Sequence, residues 1–339
     1  MKRIIVKGTN WIGDVFLSLP AVSSLSHIFP AADIDIALKR PLGDLVRGIG
    51  AVHSVLDYDG GARGELDLVR RMRTVRYELG VIFPRSLHSA LLIRLGGARR
   101  RVGYTADGRS LLLTDRVERT PEIRAVHQSE YYRHLVSALG DPGPLITPRV
   151  EPDPQDVEWA DDFLRYHGHH GGTLFGINPG AAYGGAKRWR PERFAAVADR
   201  LVDEFGGRAV ILGGDSDRAT VQEVARHMIS GPIQAAGLTT IRRLIALIAR
   251  CALFVTNDSG PMHIAAALAV PIVAVFGPTN PDTTSPMGRA AIVWHEFDCS
   301  RCLLRSCPID HRCMESITAD EVFEAGRRML DGTISAGLG

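Results

Sequence analysis

The stretch that decides the fold runs from Lys2 to Phe29, KRIIVKGTNWIGDVFLSLPAVSSLSHIF. Its first six residues are rich in β-branched side chains and predict a strand. Gly8 and Gly13 then let the backbone turn tightly. Asp14 to Phe29 has apolar spacing suited to a helix that stops at Pro30. Asp14 falls in the first helical turn, where the helix dipole favours a carboxylate; plain helix capping is the alternative use of an acid there. Gly8 and Gly13 match neither GxGxxG nor GxxxxGK[ST], because Asp14 stands where a phosphate-binding lysine would be. A carboxylate repels phosphate. It suits the opposite task, taking a proton from a hydroxyl nucleophile.

Working outward, the same strand–helix alternation continues. Asp33–Leu38, Val52–Tyr58, Leu79–Pro84 and Arg101–Tyr104 read as strands, while Pro41–Ile49, Leu66–Val75, Leu87–Leu95 and Ser129–Leu139 read as helices. Pro142 to Pro154 (PGPLITPRVEPDP) breaks the pattern and is the best linker. Strands then recur at Leu174–Ile177, Ala209–Leu212, Ile233–Ala235, Leu253–Thr256 and Ile272–Phe276. Helices are expected at Pro191–Phe205, Arg218–Met228, Thr240–Ala249, Met262–Leu268 and Ala319–Leu330. Such alternation predicts parallel sheets covered on both faces. The chain therefore reads as an α/β protein with two Rossmann-like domains, residues 1–150 and 151–339, the last helix being free to pack back on the first domain. Ligands of open α/β sheets sit at the carboxyl ends of strands, so a shared central cleft is expected.

Two further motifs follow strands of the second half. Asn178 to Pro191 (NPGAAYGGAKRWRP) offers room for backbone amides to approach an anion, with Lys187 and Arg188 supplying charge. Thr256 to Ala267 (TNDSGPMHIAAA) places an Asp258-Ser259-Gly260 turn before a proline-initiated helix. The amides near Gly260, Met262 and His263 make a phosphate cradle, although Ser259 alone reads as an N-cap and His263 alone as a packed histidine. Between them lies Gly213-Gly214-Asp215-Ser216-Asp217, whose acid is placed to meet ribose hydroxyls. Asp33-Ile-Asp35, Asp57-Tyr-Asp59 and Asp215-Ser-Asp217 have DxD spacing, a pattern short enough to arise by chance. With Lys187 and helix amides available, no metal is required.

At 339 residues and 45% hydrophobic, the chain fits two soluble domains. No apolar run reaches the ~18 residues of a membrane span. Lys2 and Arg3 precede only three apolar residues before Lys7, which is no signal-peptide core. A cytoplasmic protein is expected. Residues 1–150 carry 22 Lys+Arg against 15 Asp+Glu, and the remainder carries 18 against 23. A basic first half suits an anionic partner, and no Lys/Arg block interleaved with aromatics points to nucleic acid. Cys299, Cys302, Cys307 and Cys313 are spaced C-x2-C-x4-C-x5-C, with Cys251 apart. Four thiolates so spaced suit tetrahedral zinc; reduced thiols packing a loop are the alternative.

NWIGDV at 10–15, PGAAYGGAKRW at 179–189 and NDSGPMHIAAAL at 257–268, continuing into Val270-Pro271 and Phe276-Gly277-Pro278-Thr279, resemble glycosyltransferase family 9, the bacterial ADP-heptose:lipopolysaccharide heptosyltransferases, and within it the heptosyltransferase II subgroup. The resemblance spans most of the chain. It implies a GT-B fold and inverting transfer of L-glycero-D-manno-heptose from ADP-heptose to the heptosyl-Kdo2-lipid A inner core of lipopolysaccharide. By position it makes Asp14 the base and Lys187 the cation on the leaving diphosphate. Gly13, Asp215, Asp258, Ser259, Gly260, Met262 and His263 join Lys187 as donor-binding residues, and Leu238 and Thr239 would line the adenine. The basic first half, including Arg99-Arg100-Arg101 and the arginines between 63 and 76, would hold a phosphorylated acceptor or lie peripherally at anionic headgroups of the inner membrane. Other readings change the sugar or acceptor within the family, make the chain a nucleotide-sugar epimerase, or make it a non-catalytic nucleotide-sugar binder. Asp14 together with Lys187 argues against the last.

Overall fold

A computed structural model describes residues 1–332. The chain divides into two compact units, Met1–Val150 and a second beginning at Glu151. The first holds β1 (Arg3–Lys7), β2 (Asp33–Lys39), β3 (Ser54–Tyr58), β4 (Leu79–Ile82), β5 (Arg100–Tyr104) and β6 (Asp115–Val117) in the order β3-β2-β1-β4-β5-β6. The second holds β7 (Leu174–Asn178), β8 (Arg208–Ile211), β9 (Ile233–Gln234), β10 (Leu253–Asn257), β11 (Ile272–Val275) and β12 (Ala290–Val293) in the order β12-β11-β10-β7-β8-β9. Every pairing is parallel. Each sheet is thus wound outward in both directions from its first strand, the Rossmann order. The reversal lies between β1 and β4 in one unit and between β7 and β10 in the other.

The sequence explains why these elements form. β7 (LFGIN) and β10 (LFVTN) are buried at every position, as central parallel strands must be. The helix Pro191–Phe205 buries Phe194, Val197, Ala198 and Leu201 on one face. Pro191 starts that helix, and Gly206, at φ +70°, stops it. The helix Ile12–Ile28 is different: Val15 to Val22 are all buried, because it lies between its sheet and the helix Gln128–Ser137.

Three expectations change. The stretch after Pro142 has no regular element until Asp153, but Pro154 opens a helix, Pro154–Tyr166, as its first-turn proline with Asp153 as N-cap. That proline is a start signal, not part of a linker. β6 and β12 are edge strands too short or too exposed to show a clear period. The last helix, Ala319–Leu330, packs on β10, β11, β12 and Pro191–Phe205 of its own unit, with Val322, Phe323 and Met329 buried there.

Gly176 shows how tightly the second sheet is packed. It pairs in register with Phe254, whose ring lies over it. A β-carbon at 176 would sit 2.5 Å from that ring and 2.9 Å from the Cys251 sulfur. We expect Gly176→Ala to destabilise the protein by about 1–3 kcal/mol, the usual range for overpacking. The urea midpoint measures it; an unchanged midpoint would show that the ring moves freely.

Lys7, at the end of β1, is 1% exposed. Its ammonium donates to the Gly8 carbonyl at 2.7 Å and lies 5.4 Å from the Tyr58 ring centre. Burial, then the Lys39 charge, lowers its pKa to about 7, with Glu65 opposing. The group is protonated in the unfolded chain up to about pH 10. Between pH 7 and that value the unfolded state therefore binds more protons than the folded state, and stability rises with pH. Below pH 7 both states are protonated and the burial penalty is fully present. Relative to Lys7→Met, the wild type should gain up to about 1.4 kcal/mol per pH unit across this window. Chemical denaturation of both proteins at pH 6, 7.5 and 9 checks the slope; parallel curves would contradict it.

Candidate active site

β1 and β4 stay paired to their carboxyl ends, Lys7 opposite Ile82, and the loops of the first reversal follow. Gly8 leaves the sheet with its amide donating to Ala37 at 3.1 Å, and a β-carbon there would lie 2.4 Å from the Leu38 side chain. The turn therefore hugs the sheet before the helix begins at Ile12. Trp11 is the N-cap and makes no side-chain cap. Gly13 and Asp14 occupy the first turn, both partly exposed. Tyr132 is buried, and burial, then the Asp14 charge, raises its phenol well above the ordinary range. Thr9 is buried, and its hydroxyl has no partner in the structure.

The first unit's arginines sort by sheet edge. Arg99, Arg100 and Arg101 stand at the amino end of β5, opposite the reversal loops. Arg100 pairs with Asp115 at 2.7 Å, and Arg101 donates to the carbonyls of Ala98, Arg99 and Leu112. Arg100 and Arg101 are thus tied to the edge of the sheet, while Arg99 is exposed. At the carboxyl edge stand Arg85, exposed, and Arg109, fully buried. Arg109 donates to Tyr104 O at 2.8 Å and to Pro84 O, and burial lowers its pKa to about 10. Arg119 donates to the Tyr131 hydroxyl at 3.1 Å.

At the second reversal two loops meet. The loop after β7 ends in a single turn, Gly185–Lys187, and the loop after β10 leads into the helix Gly260–Ala267. Lys187 Nζ donates to Asp258 Oδ2 at 2.6 Å, and Thr279 Oγ1 donates to the same oxygen at 2.7 Å. Both members of the ion pair are largely buried, with side chains 14% and 7% exposed. Asn257 ties the ends of the Lys187 loop together: its amide donates to Pro179 O at 2.8 Å and its oxygen accepts from Trp189 N at 3.1 Å. Asn178 Nδ2 donates to Thr256 Oγ1 at 3.0 Å and to Ser259 Oγ at 3.1 Å. Ser259 is the N-cap residue, but its side chain makes no cap bond and joins this polar cluster instead.

That arrangement sets what the loop can do. The first amides of a helix lack intrahelical partners, and the dipole makes that end positive. Gly260 and Pro261 keep it slender, Met262 turns its side chain into the core, and His263 is buried in the same turn. An ammonium has three donors, and Asp258 uses one. A helix amino end beside a buried ammonium suits an anion.

The acids after β8 divide. Asp215 is exposed and pairs with Arg218 at 2.6 Å. Asp217 is the one turned toward the reversal: it accepts from Arg188 at 3.3 Å and from Gly214 N at 3.0 Å, and a β-carbon on Gly180 would sit 2.6 Å from its carboxylate. Leu238 is half exposed beyond β9. Sequence reading did not single out Asp217, Asn178, Asn257 and Thr279, which hold the loops of the second reversal together. Their signal was weak: polar side chains at or after the ends of buried strands.

The cysteine segment braces the Lys187 loop from outside. Arg305 O accepts from Ala186 N at 3.0 Å, Leu303 O accepts from the Tyr183 hydroxyl at 2.8 Å, and His311 Nε2 lies 2.7 Å from Ala186 O. All five cysteines are free thiols. Burial, then the neighbouring Cys299, Cys307 and Cys302, pushes the Cys313 thiol up to about 11. Among the described residues no three His, Cys, Asp or Glu side chains gather closely enough to hold a metal ion. None of the described helices is long and apolar enough to cross a membrane.

Known proteins share this organisation. The profile of glycosyltransferase family 9 (heptosyltransferase) matches residues 66–312, a span that begins after the Asp14 turn. Lipopolysaccharide heptosyltransferase 2 of Escherichia coli (strain K12) is 30% identical over 308 residues, 86% of this chain and 87% of that one. The solved structure of E. coli ADP-heptose lps heptosyltransferase II superposes with a TM-score of 0.84 at 28% identity, covering 99% and 100% of the two chains. A family 9 glycosyl transferase from Veillonella parvula superposes at 0.85 with 26% identity, covering 98% and 97%. The two Rossmann-like units are those of the GT-B class. This chain is a glycosyltransferase, and it belongs to glycosyltransferase family 9.

Proposed function

We propose that the protein transfers L-glycero-D-manno-heptose, with inversion, from ADP-heptose to the heptosyl-Kdo2-lipid A inner core of lipopolysaccharide. The observation that carries this reading is the Lys187–Asp258 pair at the second reversal, beside the amino end of Gly260–Ala267. The names and extents of the relatives support the sugar and the acceptor class.

In a single displacement the acceptor oxygen forms a bond to the heptose anomeric carbon as the bond from that carbon to the diphosphate breaks. Its proton passes to the Asp14 carboxylate, and ADP leaves with the electron pair. Lys187 and the helix amides oppose the charge that develops on the diphosphate, the work a divalent metal would otherwise do. Asp258 and Thr279 hold the lysine so that no reorganisation is needed at the moment of transfer. Asp217, rather than Asp215, is the acid suited to the donor's ribose. The arginines at the carboxyl edge of the first sheet, Arg85 and Arg119, suit the acceptor's phosphates and carboxylates. The protein would work in the cytoplasm, touching the inner membrane only peripherally, with no nucleic-acid partner.

Two experiments test this. Asp14→Asn should lower the transfer rate by ~10³-fold or more, within the range of general-base losses, while ADP affinity stays near wild type; turnover by the variant would remove Asp14 from the role. Thermal-shift screening with ADP, UDP, GDP and CDP should show stabilisation by ADP alone. A preference for UDP would sink the assignment to a heptose donor.

A further inference from the structure

The first unit carries an apolar surface that its own packing leaves open. The helix Leu87–Leu95 buries Ser89, Ala90, Leu92 and Ile93 on the side that meets β4 and β5. Leu87, Leu91 and Leu95 repeat every four residues on its outer side, where they form one ridge. They are 49%, 40% and 42% exposed.

Leu66 and Leu111 widen that ridge. The helix Ala62–Val75 lies alongside: Glu65 Oε1 is 2.9 Å from His88 Nε2, and Arg73 Nε donates to Leu95 O at 2.7 Å. Leu66 stands two turns before Arg73, on the same side of that helix, and is half exposed. The turn Arg109–Leu112 also packs against Leu87–Leu95 and leaves Leu111 82% exposed. A contiguous exposed apolar surface of this kind marks an interaction site.

We infer that this surface rests on an anionic lipid bilayer and brings the first unit to a membrane-borne acceptor. The use of the contact rests on the acceptor reading given above.

Charge chooses the occupant. Residues 62–112, which hold both helices and the turn, contain eleven arginines and no lysine against four acids. The acids beside the ridge are taken: Glu65 faces His88, and Asp67 pairs with Arg71 at 3.0 Å. Arg63, Arg70, Arg94 and Arg99 are exposed and have no ion-pair partner among the described residues. Leucines flanked by free guanidiniums match the two layers of a membrane surface, acyl chains beneath anionic headgroups. A second copy of this chain would set the same arginines against one another. A nucleic acid would answer the guanidiniums and leave the leucines in water. Position agrees with the use. Leu87 follows Pro84, Arg85 and Ser86 of the loop after β4, so the ridge begins at the carboxyl edge of the sheet, the edge that carries Asp14.

The experiment sediments the full chain with vesicles of equal parts phosphatidylglycerol and phosphatidylcholine, and with phosphatidylcholine alone. Wild type should bind the first and not the second, and high salt should release it. Leu87→Gln, Leu91→Gln and Leu95→Gln together should weaken binding by about 10-fold or more. Transfer to a deacylated, soluble acceptor should be unchanged in this ridge variant, while transfer to acceptor embedded in the vesicles falls with binding. Equal binding by wild type and the ridge variant overturns the proposal, as does equal binding to both kinds of vesicle or none to either. A wild-type dimer that the ridge variant splits, without vesicle binding, assigns the surface to a second copy instead. Should the triple variant lose melting temperature, Leu111→Gln replaces it, at a side chain too exposed to support the fold; unchanged binding there overturns the proposal. Ridge-dependent vesicle binding with no heptose transfer to either acceptor sinks the functional reading and leaves the surface in place.

Discussion

A parallel sheet wound outward from its first strand must reverse direction once, and every chemically suggestive feature of this chain hangs on that constraint. At the reversal the loops after two adjacent strands run to opposite faces, so their backbones part and leave polar groups facing outward. The first unit meets this between β1 and β4, the second between β7 and β10. Elsewhere along each sheet, neighbouring loops turn the same way and cover the strand ends. Only at the reversal can a helix terminus stay open to a ligand.

Keeping those ends open requires burying polar groups nearby. The Lys187–Asp258 pair loses most of its water, and attraction in a low-dielectric site offsets that loss only when the remaining lone pairs are satisfied. Thr279 fills one such site on Asp258, while Asn178, Thr256 and Ser259 satisfy each other beside it. Asn257 bonds both ends of the Lys187 loop, and Arg305 and Leu303 of the cysteine segment grip its middle. Gly184 permits that grip, because a β-carbon there would lie 2.4 Å from Arg305 O. The cation is thus fixed from three sides. In the same segment Cys313 is buried, and burial raises its thiol.

Much of this was legible in the sequence because it is local. Strand–helix alternation, Pro191 opening a helix and the Asp258-Ser259-Gly260 turn each involve residues within a few positions of one another. What was not legible is what long-range pairing decides. Asp215 and Asp217 are equivalent in a DSD string. The turn they form sends Asp215 to Arg218 and the solvent, and returns Asp217 to Gly214 and Arg188. Arg99-Arg100-Arg101 reads as a basic patch for a ligand. Its position at the amino end of β5 lets Arg100 pair with Asp115 and Arg101 donate to nearby carbonyls. Pro154 was read as linker because a proline that opens a helix and one that stiffens a coil look alike until Asp153 is seen capping Gln155.

The two reversals carry opposite charges for one physical reason. Both place a helix amino end at the site, and that end favours negative charge. In the first unit the chain supplies a negative group itself, Asp14, in the first helical turn. In the second unit the corresponding turn is followed by Gly260 and Pro261, which carry no charge, and Asp258 turns toward Lys187 rather than toward the helix amides. No acidic side chain stands in the first turn of that helix. One architecture, used twice, thus sets a carboxylate in the first turn of one helix and only uncharged residues, Gly260 and Pro261, at the start of the other.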